Sequence, residues 1–403
     1  MTRLFIALPL INENELLPEF IKCISQQSFT DFTLFICVNQ PDEWWDDPQK
    51  QPTCLENQKT LESLYNMDDI HPVIIDKCSR GKGWRGKKHG VGWARKTLMD
   101  AINKVADKND IIISVDADTT FGKNYFRSIT DNFLKNPDAV GLSVPYFHLP
   151  VENKAASRAI LRYEIYMRYY TLNLWRIGSP YSFTALGSAI ACLVWAYRAI
   201  GGMTPRMSGE DFYFLQKLRK YGRLLFYNQE KVYPKARFSD RVYFGTGPAM
   251  IKGNAGDWSS YPIFHYRFFN EIFDTYELFP AFYRHTIETR MVQFLVKQFR
   301  EEDPFEPIRQ NSGSEKQFIR ACHEKVDGLR ILQYLKKRHD EVPLNDESNL
   351  KEFLFQFYPE ETRSLKTNLE RLSFMKSDLS DLEEIRLFLF RKEEGFQVNS
   401  SLL

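Results

Sequence analysis

The sequence predicts an α/β fold followed by a C-terminal helical region. Over residues 1–255, short apolar runs of strand length alternate with longer stretches of helical periodicity. The apolar runs lack the alternation of a one-sided strand, so they indicate strands buried on both faces. From about Tyr261 onward only helical patterns remain. We therefore predict an α/β domain over residues 1–255 and a helical appendage over residues 256–403.

The first elements predict a parallel pair of strands. Residues 4–10 are apolar throughout and indicate the first strand, and residues 32–38 indicate the second. Between them, Asn12 or Asn14 can cap a helix that runs to about Gln27. A β-α-β unit of this length implies parallel strands joined by a right-handed crossover.

The remaining elements follow in chain order. We predict further strands at residues 72–75, 111–115, 139–146, 185–195, 224–227 and 232–233. We predict helices at residues 55–65, 91–105, 121–135, 155–177 and 212–221. Helical patterns fill residues 264–299, 315–340, 350–357, 362–375 and 379–391 of the C-terminal region, which we expect to be entirely helical.

The predicted helix at residues 155–177 combines aromatic residues with Arg158, Arg162 and Arg168. Such a face is typical of a helix that lies on a membrane surface. It is equally typical of a helix that packs within a domain and buries its arginine stems. We favour packing, and peripheral contact with a membrane is the alternative.

Composition narrows the class of protein. The 54 basic and 52 acidic residues leave a net charge of +2, so nothing global favours nucleic acid as a partner. The 6 cysteines are scattered without a zinc-binding pattern, which indicates a reducing cytosol. The apolar N-terminal run is too short for a secretory signal, and no run reaches the ~18–20 apolar residues of a membrane span. We predict a cytoplasmic protein, with the inner face of the membrane as the alternative location.

Two carboxylates follow the predicted strand at residues 111–115. Asp116 and Asp118 are two residues apart, so in extended backbone their side chains point the same way. Open α/β sheets bind ligands at the carboxyl ends of their strands. One hard divalent cation would join both carboxylates to a diphosphate there. The alternative is a polar turn in which Asp118 lies near the N-cap of the helix at residues 121–135.

A glycine-rich basic stretch, residues 77–95, leads into the predicted helix at residues 91–105. Its basic side chains are Arg80, Lys82, Arg85, Lys87, Lys88 and Arg95. A loop of this kind that leads into a helix suits the binding of a phosphate group. A solvated surface loop is the alternative. A nucleic-acid site is disfavoured because the positive charge is confined to one loop.

An acidic pair, Glu210-Asp211, opens the predicted helix at residues 212–221. Ser208 stands three residues before Asp211, which is typical of a capping box. The acidic pair therefore has a purely structural explanation beside any catalytic one.

Five segments occur in a fixed order along the chain. They are Pro9-Leu10-Ile11-Asn12-Glu13, Gly90-Val91-Gly92-Trp93-Ala94-Arg95, Asp116-Ala117-Asp118, Gly201-Gly202 and Glu210-Asp211. This ordered set resembles family 2 glycosyltransferases of the GT-A fold, which have a Rossmann-like mixed sheet. The resemblance runs from about Leu4 to Gly247, and the C-terminal third shares none of it.

The resemblance implies an inverting, metal-dependent glycosyltransferase that moves a sugar from a nucleotide-diphosphate sugar to a hydroxyl of a glycan or a lipid-linked glycan. It implies that Asp116 and Asp118 hold Mg²⁺ or Mn²⁺ against the donor diphosphate. It implies that Asp211 is the base for the acceptor hydroxyl, with Glu210 as the alternative base. The nucleotide and its phosphates would lie near Pro9, Asn12, Glu13, Asn39, Arg80, Lys82, Lys87, Arg95, Arg237 and Arg241.

Two departures from the family limit what the resemblance implies. The family often has an aspartate pair after the second strand, and one member binds the base of the nucleotide; here Asn39-Gln40 stands there, so the nucleoside stays undetermined. The Gln-x-x-Arg-Trp motif of processive synthases is missing, and Arg237 and Arg241 lie in about that region. Transfer of single sugars is therefore favoured over polymerisation.

Two rival functions remain. A nucleotidyltransferase also combines a basic glycine-rich loop with an acidic metal site, but it usually places that loop directly after the first strand. The second rival function is that of a scaffold protein that binds nucleotide sugars without catalysing a reaction. The presence of Asp116, Asp118 and Asp211 together disfavours the silent scaffold.

Overall fold

The structure is a computed structural model that describes residues 2–67, 70–239 and 245–401. It divides into two compact units. The first, which we call the sheet unit, comprises Met1–Ile160, Phe183–Ala255 and Gln397–Leu403. The second, the helical unit, comprises Leu161–Ser182 and Gly256–Phe396.

The strands of the sheet unit are short and mostly buried on both faces, as the apolar runs predict. They are β1 (Leu4–Leu10), β2 (Phe32–Asn39), β3 (Val73–Lys77), β4 (Ile111–Ser114), β5 (Thr119–Phe121), β6 (Ala139–Ser143), β7 (Ile190–Leu193), β8 (Arg223–Leu225) and β9 (Val232–Pro234). Among the described residues, seven of these strands form one sheet in the order β3-β2-β1-β4-β7-β6-β8, and β5 and β9 form a separate pair.

The main sheet is mixed. The β3-β2-β1-β4 half is parallel, whereas β7 runs antiparallel to both β4 and β6. The predicted α/β fold class with a mixed sheet is therefore confirmed. Because β1 pairs with β4 in parallel, with Ala7 opposite Ser114, the segments that follow these two strands leave the sheet at the same edge. That edge carries the predicted site residues.

The helices that begin in the sheet unit are α1 (Leu17–Ser25), α2 (Gln51–Tyr65), α3 (Val91–Val105), α4 (Tyr125–Lys135), α5 (Lys154–Arg176), α6 (Val194–Ala199), α7 (Glu210–Tyr221) and α8 (Thr246–Asn254). Helix α3 begins and ends where the sequence pattern predicts. Helix α5 continues from the sheet unit into the helical unit.

Two predictions about helix starts are wrong. Helix α4 begins at Tyr125 with Asn124 as its N-cap, because residues 119–121 form β5 instead, so Asp118 does not lie near the cap of that helix. Helix α7 begins at Glu210, two residues earlier than predicted, with Gly209 as its N-cap at a φ of 74°. For Asp118 the alternative that explained the carboxylate as a helix cap therefore loses its basis, whereas Glu210 and Asp211 do lie in the first turn of α7.

The helical unit contains the C-terminal helices. They are α9 (Tyr266–Glu277), α10 (Phe279–Phe282), α11 (Arg290–Phe299), α12 (Glu306–Asn311), α13 (Glu315–Lys325), α14 (Gly328–Glu341), α15 (Asp346–Phe357), α16 (Pro359–Thr362) and α17 (Leu379–Ser401), whose last residues belong to the sheet unit. The helix predicted at residues 362–375 is wrong: only a short 3₁₀ turn, Leu369–Arg371, forms there. Helical periodicity without a continuous buried face does not sustain a helix.

The arginines of α5 pack inside the helical unit. Arg162 and Arg168 are each 1% exposed. The Arg168 guanidinium donates to Glu164 at 2.6 Å and to Glu393 at 2.6 Å. Buried arginines of this kind are paired because an unpaired buried charge is costly, so the packing interpretation is confirmed for Arg162 and Arg168. No helix in the described part of the chain is both long enough and apolar enough to cross a membrane.

Candidate active site

The guanidinium of Arg95 is the centre of the candidate site. It comes from the second turn of α3 and is 3% exposed. Its Nη2 donates to Asp116 Oδ1 at 2.6 Å, and its Nε donates to Glu210 Oε1 at 2.9 Å. Its Nη1 donates to Ser114 Oγ at 2.5 Å and to the Gly187 carbonyl at 2.9 Å. Arg95 thus joins the end of β4 to the start of α7.

The glycine at position 187 makes this arrangement possible. A methyl group on Gly187 would lie 2.2 Å from Arg95 Nη2, far inside van der Waals contact. Ser114 Oγ donates to the same Gly187 carbonyl at 2.7 Å while it accepts from Arg95. The backbone at Gly187 is therefore part of the cradle that fixes the Arg95 guanidinium, which is turned toward protein groups.

Two other glycines explain how α3 approaches α7. A methyl group on Gly92 would lie 2.2 Å from the carbonyl oxygen of Arg206. Gly90, with a φ of 104°, would place a methyl group 3.1 Å from the carbonyl oxygen of Met207. The first turn of α3 therefore packs directly against the segment that leads into the acidic pair. This close approach gives the Gly90-Val91-Gly92 motif a packing role.

The two members of the acidic pair have different environments. Glu210 is buried and paired with Arg95, whereas Asp211 is half-buried and accepts a backbone hydrogen bond from Phe212 at 2.8 Å. Burial, followed by the neighbouring Glu210 carboxylate, raises the pKa of Asp211 from 3.8 to about 7. A carboxylate with a pKa near neutral pH is well matched to accept a proton in catalysis. Of the two, Asp211 has the properties of a base and Glu210 those of a counter-ion.

A second ion-pair cluster lies where β5 begins. Arg237 donates to Asp118 Oδ2 from Nε at 2.9 Å and from Nη2 at 2.6 Å. The same Nη2 donates to Glu13 Oε1 at 2.7 Å. Burial works against the charge on Arg237, but the two carboxylates outweigh it and raise its pKa. The cluster brings together residues from three distant parts of the chain.

The predicted nucleotide-side residues form a polar network after β1 and β2. Asn39 donates to the Leu10 carbonyl at 2.9 Å and accepts from Trp84 Nε1 at 3.1 Å. Asn12, with a positive φ of 54°, donates its backbone N–H to Asn57 Oδ1 at 2.8 Å. Pro9 is buried within β1. Asn39 is only 3% exposed. Its amide oxygen therefore serves the protein by holding the Trp84 side chain in place through their hydrogen bond.

The predicted phosphate-binding loop has a mixed environment. Arg80 pairs with Asp46 at 3.2 Å, and Lys82 pairs with Asp76 at 2.8 Å. Lys87 is exposed, and no described residue forms a hydrogen bond or ion pair with it. Lys87 therefore keeps its charge available to a ligand. Arg241 lies outside the described residues.

The donor atoms at this edge suit a hard divalent cation. The carboxylates linked to the two arginines, Arg95 and Arg237, are those of Glu13, Asp116, Asp118, Glu210 and Asp211. Five acidic groups against two guanidinium groups leave an excess of negative charge, and no described residue donates a hydrogen bond to Asp116 Oδ2. Within the described ranges, no three or more His, Cys, Asp or Glu side chains are grouped to hold an ion. A Mg²⁺ or Mn²⁺ ion bound by Asp116 and Asp118 would therefore have to take its remaining oxygen ligands from a phosphate group and water.

Two parts of the site were not identified from the sequence. Ser114 had a signal, because it is the polar residue between Ile113 and Val115 in a strand that is otherwise apolar and fully buried. A buried hydroxyl needs a partner, and its partners are Arg95 and the Gly187 carbonyl. Gly187 carried no such signal, because a backbone carbonyl leaves no mark on the sequence.

Comparison with known proteins gives distant structural neighbours. No family model and no curated protein matches the chain. Staphylococcus aureus TarS 1–349, in complex with UDP-GlcNAc, aligns with 99% of this chain and 92% of its own at 13% identity and a TM-score of 0.40. A Pyrobaculum calidifontis mannosyltransferase, PcManGT, in complex with GDP-Man and Mn²⁺, aligns with 97% of this chain and 86% of its own at 13% identity and a TM-score of 0.37. GalNAc-T7 with UDP, GalNAc and Mn²⁺ aligns with 85% of this chain and 58% of its own at 11% identity and a TM-score of 0.38. These values are too low to assign a family.

Proposed function

We propose that the chain is an inverting glycosyltransferase that moves a sugar from a nucleotide-diphosphate sugar to a hydroxyl acceptor. The observation that carries the proposal is the bridge made by Arg95 between Asp116 and Glu210. It fixes a strand-end carboxylate, suited to a cation and a diphosphate, beside an acidic pair in which Asp211 has a pKa of about 7. A donor-side carboxylate and an acceptor-side base are what a single displacement needs.

The reaction follows from these roles. The acceptor oxygen attacks the anomeric carbon and forms a new C–O bond, while the bond from that carbon to the diphosphate oxygen breaks and the electron pair leaves with the diphosphate. Asp211 takes the proton of the acceptor hydroxyl, a contribution of roughly 10²–10⁴ in rate. Attack opposite to the leaving group inverts the anomeric centre. Mg²⁺ or Mn²⁺ bound by Asp116 and Asp118 would stabilise negative charge on the diphosphate.

The remaining polar residues have supporting roles in this proposal. Arg95 positions Asp116 and Glu210 rather than binding the donor, because its hydrogen bonds are made to protein groups. Within the basic loop, Lys87 is the candidate for binding the donor phosphates, because its ammonium group is exposed. Residues 1–255 form the proposed catalytic domain, and the helical residues 256–403 have no assigned role.

Calorimetry with a panel of nucleoside diphosphates, each with and without Mn²⁺, tests the proposal. We expect metal-dependent binding of at least one nucleotide, and loss of that binding in Asp118→Asn. The matched control is Asp131→Asn, because Asp131 is an exposed aspartate on α4, away from the described ion pairs. A chain that binds no nucleoside diphosphate under any condition would refute the proposal. Product analysis with the corresponding nucleotide sugars then identifies the sugar that is released.

A further inference from the structure

The position of Arg237 is fixed by the two-stranded pair of β5 and β9. Thr119 lies opposite Pro234, and Lys235 donates its backbone N–H to the carbonyl oxygen of Asp118 at 2.9 Å. The chain therefore passes Asp118 just before it reaches Arg237. Arg237 itself lies three residues beyond the end of β9, and the hydrogen bond of Lys235 holds the start of this segment beside Asp118.

Arg237 occupies one oxygen of the Asp118 carboxylate, the group assigned to the cation. Two of its nitrogens, Nε and Nη2, donate to the single oxygen Oδ2 of Asp118 at 2.9 and 2.6 Å. The other oxygen, Oδ1, accepts a long hydrogen bond from Thr119 Oγ1 at 3.4 Å. Glu13 holds the far side of the guanidinium at 2.7 Å, and its side chain is only 5% exposed. A cation that binds Asp118 therefore meets a positive charge already in place.

This arrangement treats a free cation and a cation–diphosphate complex differently. A free divalent cation brings two positive charges beside the guanidinium, and like charges a few ångströms apart repel. A cation bound to a diphosphate brings no net positive charge, and its phosphate oxygens are good acceptors for an arginine. Arg237 can donate a hydrogen bond to these phosphate oxygens. Its side chain is 27% exposed, and no described residue accepts a hydrogen bond from its Nη1.

We propose that Arg237 disfavours the binding of free divalent cations to Asp118 but allows the cation to bind there together with the diphosphate of the donor. The inference rests on the proposed function for the assignment of Asp118 to the cation. It adds an order of binding: the cation enters with the nucleotide rather than before it. Binding of cation and nucleotide is then positively coupled, and part of that coupling resides in Arg237.

Binding of Mn²⁺ alone to the full chain, measured by calorimetry, is the first test. We expect Arg237→Met to bind free Mn²⁺ roughly tenfold or more tightly than the parent, because one positive charge is removed from beside Asp118. Arg237→Lys keeps the charge and should bind Mn²⁺ about as weakly as the parent. Arg237→Gln keeps a donor for Asp118 without the charge, and it replaces the methionine variant if that variant fails to fold.

A matched arginine provides the control. Arg223 pairs with Asp138 at 3.6 Å in the same unit, on the strand β8. Arg223→Met removes the same charge from the whole protein but not from Asp118. We therefore expect it to bind Mn²⁺ as the parent does. Tighter binding in this control would mean that net charge, rather than the contact with Asp118, sets the affinity, and would overturn the proposal.

The coupling is measured by repeating the Mn²⁺ titration with saturating UDP or GDP. The factor by which the nucleotide tightens Mn²⁺ binding should be smaller in Arg237→Met than in the parent; an equal factor would overturn the proposal. Formation of the Mn²⁺–nucleotide complex in solution is common to both proteins and cancels in the comparison. If Asp118→Asn weakens Mn²⁺ binding but Arg237→Met leaves it unchanged, the cation assignment stands and the inference about Arg237 fails. If Asp118→Asn has no effect on Mn²⁺ binding, the cation assignment in the proposed function fails as well.

Discussion

Replacing Asp211 by asparagine should make the protein more stable at alkaline pH while it removes activity. Burial and the Glu210 carboxylate raise the pKa of Asp211 to about 7 in the folded chain. In an unfolded chain an aspartate ionises near a pKa of about 3.9. Between these two pKa values the folded protein holds a proton that the unfolded chain has released. Stability is therefore lost as the pH rises from about 4 to about 7, and the loss is complete above that range.

The size of this effect follows from the pKa difference. A difference of about three in pKa corresponds to about 4 kcal/mol of unfolding free energy as an upper bound. Asp211 is half-buried, so solvent reduces the effect, and we expect about 2 kcal/mol. Asparagine has nearly the same shape and cannot ionise. Asp211→Asn should therefore exceed the stability of the parent by about 2 kcal/mol at pH 8.5 and by roughly a third of that at pH 5, because the loss in the parent begins near pH 4.

Urea unfolding of the full chain at pH 5 and pH 8.5 measures this difference. Many groups titrate over that range, so only the difference between variants is informative. Asp131→Asn serves as the control, since Asp131 is exposed on α4. An Asp211→Asn protein that loses as much stability between the two pH values as the parent and the control would refute the reasoning.

The same variant separates catalysis from capping. If Asp211 served only as a first-turn acceptor for the Phe212 N–H, its replacement would leave turnover intact. If Asp211 is the base, turnover should fall by roughly 10² or more while nucleotide affinity survives. Replacement of a carboxylate is expected to raise stability and lower turnover together only if that carboxylate is catalytic and its environment disfavours the ionised form.

Four further predictions follow from the site. The kcat/KM should rise with pH through about 7, the pKa of Asp211 in the free protein, and a flat profile between pH 6 and 8 would contradict the assignment of the base. Arg95→Met should lower the unfolding free energy by about 3–5 kcal/mol because it leaves the buried Glu210 without its partner, and urea unfolding would show this. Gly187→Ala should lower turnover more than Ala189→Gly, because a methyl group at residue 187 would collide with the Arg95 guanidinium. Trypsin should cleave after the exposed Lys87 more slowly in the presence of Mn²⁺ and the bound nucleotide, as mass spectrometry of the fragments would show.

Much of the sheet could be predicted because its strands are buried on both faces. The bounds of β1 match the apolar run at residues 4–10, because a strand in which every side chain is buried appears in the sequence as an uninterrupted run of apolar residues. Strand β5 could not be predicted in this way. Its three residues are held by pairing with β9, more than a hundred residues later, and that partner is not visible in the local pattern.

The sequence names the charged residues of the candidate site, but neither Ser114 and Gly187 nor the contacts among them. Asp116 and Asp118 stand two residues apart, yet each is held by a different arginine. The resemblance to glycosyltransferases implies that Arg95 and Arg237 lie near the donor. Their carboxylate partners come from distant segments, and no local spacing indicates which acid meets which base.

The separation of these partners along the chain also bears on how the protein is made. Arg237 pairs with Glu13 across 224 residues and with Asp118 across 119, and Arg95 pairs with Glu210 across 115. Contacts of such long range form late in folding. At about 5–20 residues per second, roughly 10–45 s pass on the ribosome between the synthesis of Glu13 and that of Arg237. Near the end of that interval the nascent chain contains the acidic groups of both clusters but still lacks the guanidinium that pairs with Glu13 and Asp118, so this edge of the sheet is completed only when Arg237 has emerged.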